Sequence, residues 1–218
     1  MDLAEIKIYR ITHIDNIPHI LQNGITHRNS PNHNPNFVSI GDISLISTRD
    51  NKQIAVDNGD FLNLNAPTIT LGDFIPFYFG IKMPMLYVIQ NGGNFVIKST
   101  PASKIVYMVC SVSRLIKKQK NYYFSDGHAT DNLTTFYDKT RIDNLSEIID
   151  WNSVKAPYWG GQDNLNLKRK KQAEFLVSED VAPNLIIGFG CYNEDAKNKL
   201  VALGIKEEKI KIIPNAYY

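Results

Sequence analysis

The feature that most constrains this chain is a run of four cations that leads directly into a short apolar segment. Residues 168–171 read Lys-Arg-Lys-Lys, and residues 173–177 read Ala-Glu-Phe-Leu-Val. Side chains alternate between the two faces of a strand, so Phe175 and Val177 share one face with Ala173, whereas Glu174 and Leu176 share the other. Glu174 is then either a functional carboxylate or an ordinary solvent-facing residue. The segment alone leaves both readings open.

Length and composition predict one ordinary globular domain. The chain has 218 residues, of which 43% are hydrophobic and 21% are charged. These values predict a single domain over residues 1–218. The net charge is only +2, so nucleic-acid binding has to be argued from local clusters of cations and not from the whole-chain balance.

The two cysteines and the N-terminus indicate a cellular compartment. Cys110 and Cys191 lie in apolar surroundings, so we expect buried thiols without a disulfide in a reducing cytoplasm. The N-terminus lacks a cationic segment followed by an apolar core, and no apolar run reaches the roughly 18 residues that span a bilayer. We therefore expect no membrane association.

Hydrophobic periodicity predicts an α+β fold with about seven or eight strands and several short helices. The strands are predicted at residues 6–11, 74–80, 84–89, 104–110, 122–124, 173–177, 185–190 and 209–213. Helices are predicted after the first strand, at the start of 111–120, and over 143–151 and 194–203, whereas residues 43–56 are predicted to form either a helix or an irregular turn. Residues 25–40 and 152–167 are predicted to be irregular, and residues 91–94 to form a turn.

The junction after the first strand is a candidate ligand site. Thr12 or Asp15 is predicted to cap a short helix that Gly24 ends. His13 lies at this junction, where exposed helix amides can meet an anionic or ribose-bearing ligand, although a structural histidine is the commoner case. The polar loop that follows contains His27 and His33, but no further ligands fall at a recognisable spacing, so we expect no metal.

Three further segments carry candidate functional residues. Arg49 lies within residues 43–56, where an isolated arginine is usually solvated. The aromatic residues of 74–89 are expected to form core, with one or two left to stack on a base or on nicotinamide. A strand that ends in Ser-Asp-Gly-His at residues 125–128 is either the edge of a site or a capped turn.

The segment before Glu174 combines aromatic and cationic residues. Tyr158 and Trp159 precede two glycines, and the cations that begin with Lys168 and Arg169 follow closely. Aromatic rings stack on bases and cations bind phosphates, so one loop would offer both. A charge run is more often a solvated face, but its combination with the two aromatic residues favours nucleic acid.

Four ordered segments resemble the DarT family of DNA ADP-ribosyltransferase toxins over essentially the whole chain. They read Ile-Thr-His-Ile-Asp-Asn at 11–16, Phe-Ile-Pro-Phe-Tyr-Phe at 74–79 with Pro-Met-Leu-Tyr at 84–87, Phe-Ser-Asp-Gly-His at 124–128, and Lys-Lys-Gln-Ala-Glu-Phe-Leu-Val at 170–177. The resemblance implies a single-domain ADP-ribosyltransferase-like fold with two packed, mostly antiparallel sheets and short helices. It also implies transfer of ADP-ribose from NAD to a base in single-stranded DNA, with release of nicotinamide.

The resemblance also implies roles for individual residues. Glu174 matches the catalytic glutamate, and Arg49 matches the essential arginine of the loop that covers NAD. The NAD-contacting stretch matches Thr12, His13, Ile14 and Gly24. The DNA-binding residues would be His128, Tyr158, Trp159, Lys168 and Arg169. One departure is Gly72, where the family often has histidine.

Partners and alternatives follow from the same resemblance. It implies a macrodomain antitoxin of the DarG type as partner, thymidine as the favoured acceptor and NAD as co-substrate without a metal, and we expect a monomer. The alternatives are an ADP-ribosyltransferase acting on guanosine, RNA or protein, and a non-catalytic nucleic-acid-binding domain in which Glu174 is a surface carboxylate.

Overall fold

The computed structural model describes residues 2–60, 62, 66–93 and 95–218. Within these residues the strands are β1 (Lys7–His13), β2 (Gln53–Ala55), β3 (Thr68–Thr70), β4 (Ile75–Tyr78), β5 (Ile105–Ser111), β6 (Tyr122–Ser125), β7 (Phe136–Tyr137), β8 (Glu174–Val177), β9 (Ile186–Cys191) and β10 (Ile210–Ile212). The helices are α1 (Ile17–Asn23), α2 (Ile43–Asn51), α3 (Pro84–Asn91), α4 (Val112–Leu115), α5 (Leu145–Ile148), α6 (Trp151–Lys155), α7 (Leu165–Lys171) and α8 (Glu194–Ala202). Short 3₁₀ helices cover Ile14–Asn16, Leu71–Asp73, Ala102–Lys104, Lys139–Asn144, Gln162–Asn164, Pro183–Leu185, Glu207–Lys209 and Pro214–Ala216.

Two sheets of unequal size form the framework. The larger sheet has eight strands in the order β10-β9-β5-β1-β4-β8-β6-β7, and the smaller pairs β2 with β3. Only β9 and β10 pair in parallel among the described strands. The small sheet packs on the large one through a cluster that includes Ile54, Val56 and Leu176. The predicted α+β class and the two mostly antiparallel sheets are therefore confirmed.

Both faces of the large sheet are covered, as alternation along β5 illustrates. Val106 and Met108 point into the main hydrophobic cluster. Tyr107 points to the opposite face, where it packs with Leu86 of α3 and with Tyr217. Since neither face is left to solvent here, the strand has an almost unbroken apolar sequence, which is the signal that predicted it.

One predicted strand is wrong. Residues 84–89 form α3, because Pro84 stands at the first helical position and the buried Leu86 and Ile89 are three residues apart, as on one helix face. Gly92 ends the helix with a φ of 76°. The turn predicted at residues 91–94 therefore starts at the C-terminal end of α3. Its last residue, Asn94, lies outside the described residues.

Other predictions differ in detail. The side chain that caps the 3₁₀ turn after β1 is His13, which accepts a hydrogen bond from the amide of Asp15, so the predicted caps Thr12 and Asp15 are wrong. Gly24 ends α1 at a φ of 83°, as predicted. The cations at 168–171 lie on α7 and not in an irregular loop.

The cysteines and the helix lengths bear on the remaining expectations. Cys110 and Cys191 are buried free thiols, as predicted, and burial raises the pKa of Cys191 to about 11. Within the described part of the chain, no helix has the length and apolar character needed to cross a membrane.

Candidate active site

Glu174 is the first residue of β8 and lies at the centre of the site. Its side chain is 0% exposed, so the solvent-facing alternative for this residue is wrong. Alternation does place it on the face opposite Phe175, but that face is also covered, because Leu176 packs there against the small sheet. A carboxylate buried in this way needs hydrogen-bond donors.

Three hydrogen bonds hold the Glu174 carboxylate. Arg49 Nη1 donates to Oε1 at 3.1 Å and to Oε2 at 2.8 Å. The backbone amide of Ala129 donates to Oε1 at 3.1 Å. These donors stabilise the charged carboxylate and fix its orientation.

Arg49 comes from α2, a helix without buried residues. Asp42 caps the helix by accepting from the amides of Ser44 and Leu45. The Arg49 side chain is 15% exposed, and its Nη2 is buried without a hydrogen-bond partner in the described residues. Since an unsatisfied buried donor is costly, this nitrogen marks a place where a ligand acceptor would fit.

The loop after β6 supplies the third donor to Glu174. The Ser125 hydroxyl accepts from the Glu174 amide at 3.1 Å and donates to the Gly127 carbonyl at 2.7 Å. A Cβ at Gly127 would lie 2.5 Å from Arg169 Nη1, so this close approach requires glycine. The Ser-Asp-Gly-His segment is therefore both a tight turn and part of the site.

Helix α7 anchors this loop. Arg169 Nη1 donates to Asp126 Oδ1 at 2.9 Å, and the Arg169 carbonyl accepts from the His128 amide at 2.9 Å. Lys171 is also buried, and its Nζ donates to the carbonyls of Val154 and Ala156. Lys170 Nζ also donates to Asp150 Oδ2 at 3.0 Å, so three of the four cations in the run bind protein atoms.

A first cavity, of about 370 Å³, opens on one side of α2. Arg10, Thr12 and Arg49 contribute polar groups to its lining. The apolar part of its lining includes Ile20, Ile25, Phe37, Leu71, Phe74, Ile75 and Met108. A cavity of cations and hydroxyls beside an apolar wall suits a ligand that carries both phosphates and flat rings.

A second cavity, of about 620 Å³, is also lined in part by residues of α2 and its N-cap. Asp42 and Leu45 of this helix face the second cavity, whereas Ile46 and Arg49 face the first. The predicted DNA-binding residues among its lining are His128, Trp159, Lys168 and Arg169. Helix α2 and its N-cap therefore contribute to the lining of two cavities of different character.

The structure brings some predicted residues together and keeps others apart. Thr12 and Arg49 line the first cavity, but His13, Ile14 and Gly24 are absent from its lining. His13 caps the following turn, and Ile14 belongs to the hydrophobic core. A Cβ at Gly24 would lie 2.1 Å from the Val181 carbonyl.

The acceptor-side residues differ in exposure. Tyr158 is exposed and lies outside the lining of the second cavity. Lys168 is exposed, with its Nζ 5.3 Å from the centre of the Trp159 ring. The Arg169 side chain is only 8% exposed and is bonded to Asp126. Burial lowers the pKa of His128, although nearby Glu174 acts in the opposite direction.

Sequence reasoning missed three residues of the site. Arg10 lines the first cavity and donates to the Pro76 carbonyl at 2.8 Å. Burial and the nearby Arg49 lower the pKa of Arg10 to about 10, so Arg10 stays cationic at neutral pH. Alternation along β1, which puts it on the face of Thr12, was an available signal. Tyr78 pairs with Glu174 across β4 and β8. Ala129 contributes only its amide, so its side chain gives no signal.

Gly72, where the family often has histidine, lies against the backbone of α2. A Cβ at Gly72 would lie 2.8 Å from the Cα and carbonyl oxygen of Asp50 in α2. The absence of a side chain therefore lets α2 approach the 3₁₀ turn that follows β3. His27 Nε2 lies 2.7 Å from the Gly72 carbonyl, so this histidine is part of the loop structure.

In the described residues no three His, Cys, Asp or Glu side chains converge on a possible metal position.

The buried Glu174 is held by an arginine that lines the first cavity, and the second cavity offers Trp159 and Lys168. This arrangement suits a transfer reaction between two substrates. The family model described as ssDNA thymidine ADP-ribosyltransferase, DarT, matches residues 9–218. The chain belongs to this family, and it is an NAD-dependent DNA ADP-ribosyltransferase.

Individual relatives agree with this assignment. A DNA ADP-ribosyl transferase of Escherichia coli O127:H6 is 33% identical over 194 residues, covering 88% of this chain and 83% of the relative. A Thermosipho africanus fusion of DNA ADP-ribosyl transferase and DNA ADP-ribosyl glycohydrolase is 29% identical over 96% of this chain and 48% of the fusion.

Solved structures are similar over nearly the whole chain. Thermus sp. 2.9 DarT in complex with ADP-ribosylated ssDNA has a TM-score of 0.80 and 26% identity, covering 98% of this chain and 96% of that one. The same protein in complex with NAD+ has a TM-score of 0.74 and 25% identity, with 98% of each chain covered.

Proposed function

We propose that Glu174 and Arg49 form the catalytic pair that transfers ADP-ribose from NAD to thymidine in single-stranded DNA, with release of nicotinamide. The observation that carries this proposal is the contact of 2.8 Å between Arg49 Nη1 and the wholly buried Glu174 carboxylate. Arg49 itself lines the first cavity, and Leu45 of the same helix lines the second.

Glu174 would stabilise the reacting sugar. Breaking the bond between nicotinamide and ribose builds positive charge on the ribose, and a fixed carboxylate in a water-poor site stabilises that charge. The Ala129 amide, 3.1 Å from Oε1, keeps the carboxylate in place even when Arg49 moves. Since the carboxylate is fixed before the reaction, little reorganisation is needed when the charge develops.

Arg49 would bind the substrates through the donor that the protein leaves unpaired. Its buried Nη2 can reach an NAD phosphate or a carbonyl of the acceptor base. The attacking ring nitrogen must also lose its proton. We assign that proton to Glu174, because Oε2 accepts a hydrogen bond only from Arg49 among the described residues.

The first cavity would hold NAD. Arg10 and Arg49 line this cavity, and Glu174 is the one buried carboxylate that contacts either of them in the described residues. The local charge is therefore net positive, which suits a diphosphate. Thr12 supplies a hydroxyl at the same cavity. The predicted contacts of His13, Ile14 and Gly24 with NAD remain predictions. They are supported by position, because His13 caps the turn that follows Thr12 and Gly24 ends α1.

The second cavity would receive the DNA base. His128 has a lowered pKa because it is buried, so it stays neutral at physiological pH and can exchange hydrogen bonds with a base. Trp159 and Lys168 offer a ring and a charge at the same cavity. Tyr158 and Arg169 complete the proposed DNA-binding set, the latter by holding the loop of His128.

Membership of the family supports a proposal for the cellular setting. We propose a toxin that acts in the cytoplasm as one monomeric domain over residues 1–218, and that is opposed by a macrodomain antitoxin of the DarG type. The relative in which the transferase is fused to a DNA ADP-ribosyl glycohydrolase supports such a partner. The reduced, buried cysteines agree with a reducing compartment.

Mass spectrometry tests the proposed reaction. Single-stranded oligonucleotides that differ in one base are incubated with NAD and the wild-type protein, Glu174→Gln or the exposed control Glu147→Gln. We expect a mass gain of one ADP-ribose on thymidine-containing strands with the wild type and the control, and none with Glu174→Gln. A mass gain of one ADP-ribose only on guanosine, RNA or protein would show that the acceptor is not thymidine in DNA. Transfer by Glu174→Gln at the wild-type rate would overturn the role assigned to Glu174.

A further inference from the structure

A cluster of aromatic side chains lies at the outer rim of the second cavity. Tyr87, Trp159 and Tyr218 meet edge to face, with ring centres 5.8 Å apart for Tyr87 and Trp159 and 5.2 Å apart for Tyr87 and Tyr218. Trp159 also lines the cavity itself. Tyr87 is 45% exposed and Tyr218 is 38% exposed. The cavity therefore continues outward into an aromatic surface, which we call the rim cluster.

Two lysines accompany the rim cluster. Lys82 Nζ lies 5.1 Å from the centre of the Tyr218 ring, and Lys168 Nζ lies 5.3 Å from the centre of the Trp159 ring. Neither lysine pairs with a carboxylate in the part of the chain that the structure describes. Rings beside unpaired cations are the combination that binds single-stranded nucleic acid, because every base can stack and every nucleotide carries a phosphate.

Lys82 has an unusual backbone conformation. Its φ is +55°, and it is the only non-glycine residue with positive φ among those described. The Tyr107 hydroxyl accepts from its amide at 3.1 Å, and its carbonyl accepts from the Tyr218 hydroxyl at 2.8 Å. Glycine or asparagine adopts this conformation at lower cost. The two hydrogen bonds hold this conformation, which places the Lys82 ammonium group beside the Tyr218 ring.

We propose that the rim cluster, with Lys82 and Lys168, is a subsite that stacks a base flanking the modified nucleotide and neutralises its phosphate. This inference rests on the proposed function, since it assigns the second cavity to the acceptor base. It adds a second point of attachment for the strand, and Tyr87, Tyr218 and Lys82 become DNA-binding residues that determine how the strand enters the site.

Binding of a fluorescent single-stranded oligonucleotide with one thymidine tests the stacking. Tyr87→Ala is compared with Tyr192→Ala, since Tyr192 is a similarly exposed tyrosine that contacts Tyr217 instead of the rim cluster. Loss of one stacked base weakens binding by about tenfold, so we expect this change for Tyr87→Ala and none for Tyr192→Ala. An abasic site at the flanking position should remove the difference between the wild type and Tyr87→Ala. Equal binding of both variants and the wild type would overturn the subsite.

Lys82→Gly separates a binding role from a structural one. Glycine relieves the backbone strain, so the Tm should not fall, whereas the affinity for DNA should decrease and the dependence of log affinity on log salt should lessen by about one contact. Unchanged affinity and salt dependence would contradict the proposal.

The same oligonucleotide is assayed for ADP-ribose transfer by the wild type. If transfer occurs but Tyr87→Ala and Lys82→Gly bind as the wild type does, the subsite is wrong and the proposed function stands. If no transfer to DNA occurs but both variants bind more weakly, the proposed function is wrong, and the rim cluster is a surface that binds single-stranded DNA without a modified nucleotide beside it.

Discussion

Two arginine–carboxylate pairs, each with one buried partner, support the site and differ in how completely the arginine is hydrogen-bonded. Arg49 contacts Glu174 at 2.8 Å and Arg169 contacts Asp126 at 2.9 Å. Arg169 also donates to Asn166 and Thr134. Arg49 has no acceptor besides Glu174 in the described residues, and its Nη2 is unpaired.

The supporting elements differ in the same way. Helix α2, which carries Arg49, buries none of its residues, whereas α7 buries Arg169 and Lys171. The Arg169 pair holds the loop whose Ala129 amide contacts Glu174. One arginine therefore has all of its contacts within the protein, whereas the other keeps a buried donor without a partner in the described residues.

The largest expected effect on stability is for Arg169→Leu. Arg169 is buried, but the Asp126 side chain is 23% exposed, so the charge left behind is partly solvated. We expect the free energy of unfolding to fall by about 2 kcal/mol. Urea denaturation measures this change. Adding Asp126→Asn should restore part of the loss, because asparagine still accepts from the Thr135 amide but carries no charge. A loss that the second substitution deepens would show that Arg169 does not act through Asp126.

A smaller effect is expected from pH. Burial lowers the pKa of His128 and of His13. The unfolded chain then takes up protons first, so the free energy of unfolding should fall as the pH decreases below about 6.5. Above that pH both imidazoles are neutral in either state, and their contribution is constant.

Urea denaturation at a series of pH values checks this expectation with a matched pair of variants. His128→Gln should weaken the pH dependence below neutrality, whereas His33→Gln, at an exposed position, should leave it unchanged. The same pH dependence in the wild type and His128→Gln would mean that His128 does not titrate differently in the folded protein.

Much of the fold could be predicted from the sequence, because local signals specify it. The unbroken apolar run of β5 and the glycine that follows α8 gave the correct elements. Residues 84–89 were assigned wrongly because their β-favouring composition outweighed a proline at the first helical position. The spacing of Leu86 and Ile89 carried the helical signal.

The sequence could predict the identity of a catalytic side chain but not the distant contacts that bury it. The sequence pattern identified Glu174 as a candidate, but its burial depends on the small sheet and on Arg49, which is 125 residues away in sequence. Likewise, the burial of Arg169 depends on Asp126, 43 residues away. A run of cations looks the same in sequence whether its partners are solvent or distant protein atoms.

The most direct test of the central claim is the single-turnover rate of ADP-ribose transfer to a thymidine-containing strand by the wild type, Arg49→Lys, Glu174→Gln and the double variant. We predict that each single substitution slows transfer by on the order of a hundredfold or more, and that the double variant is no slower than the slower single variant, because the two residues act as a unit. Wild-type transfer by Glu174→Gln, or a double variant slowed by the product of the two single effects, would contradict the account.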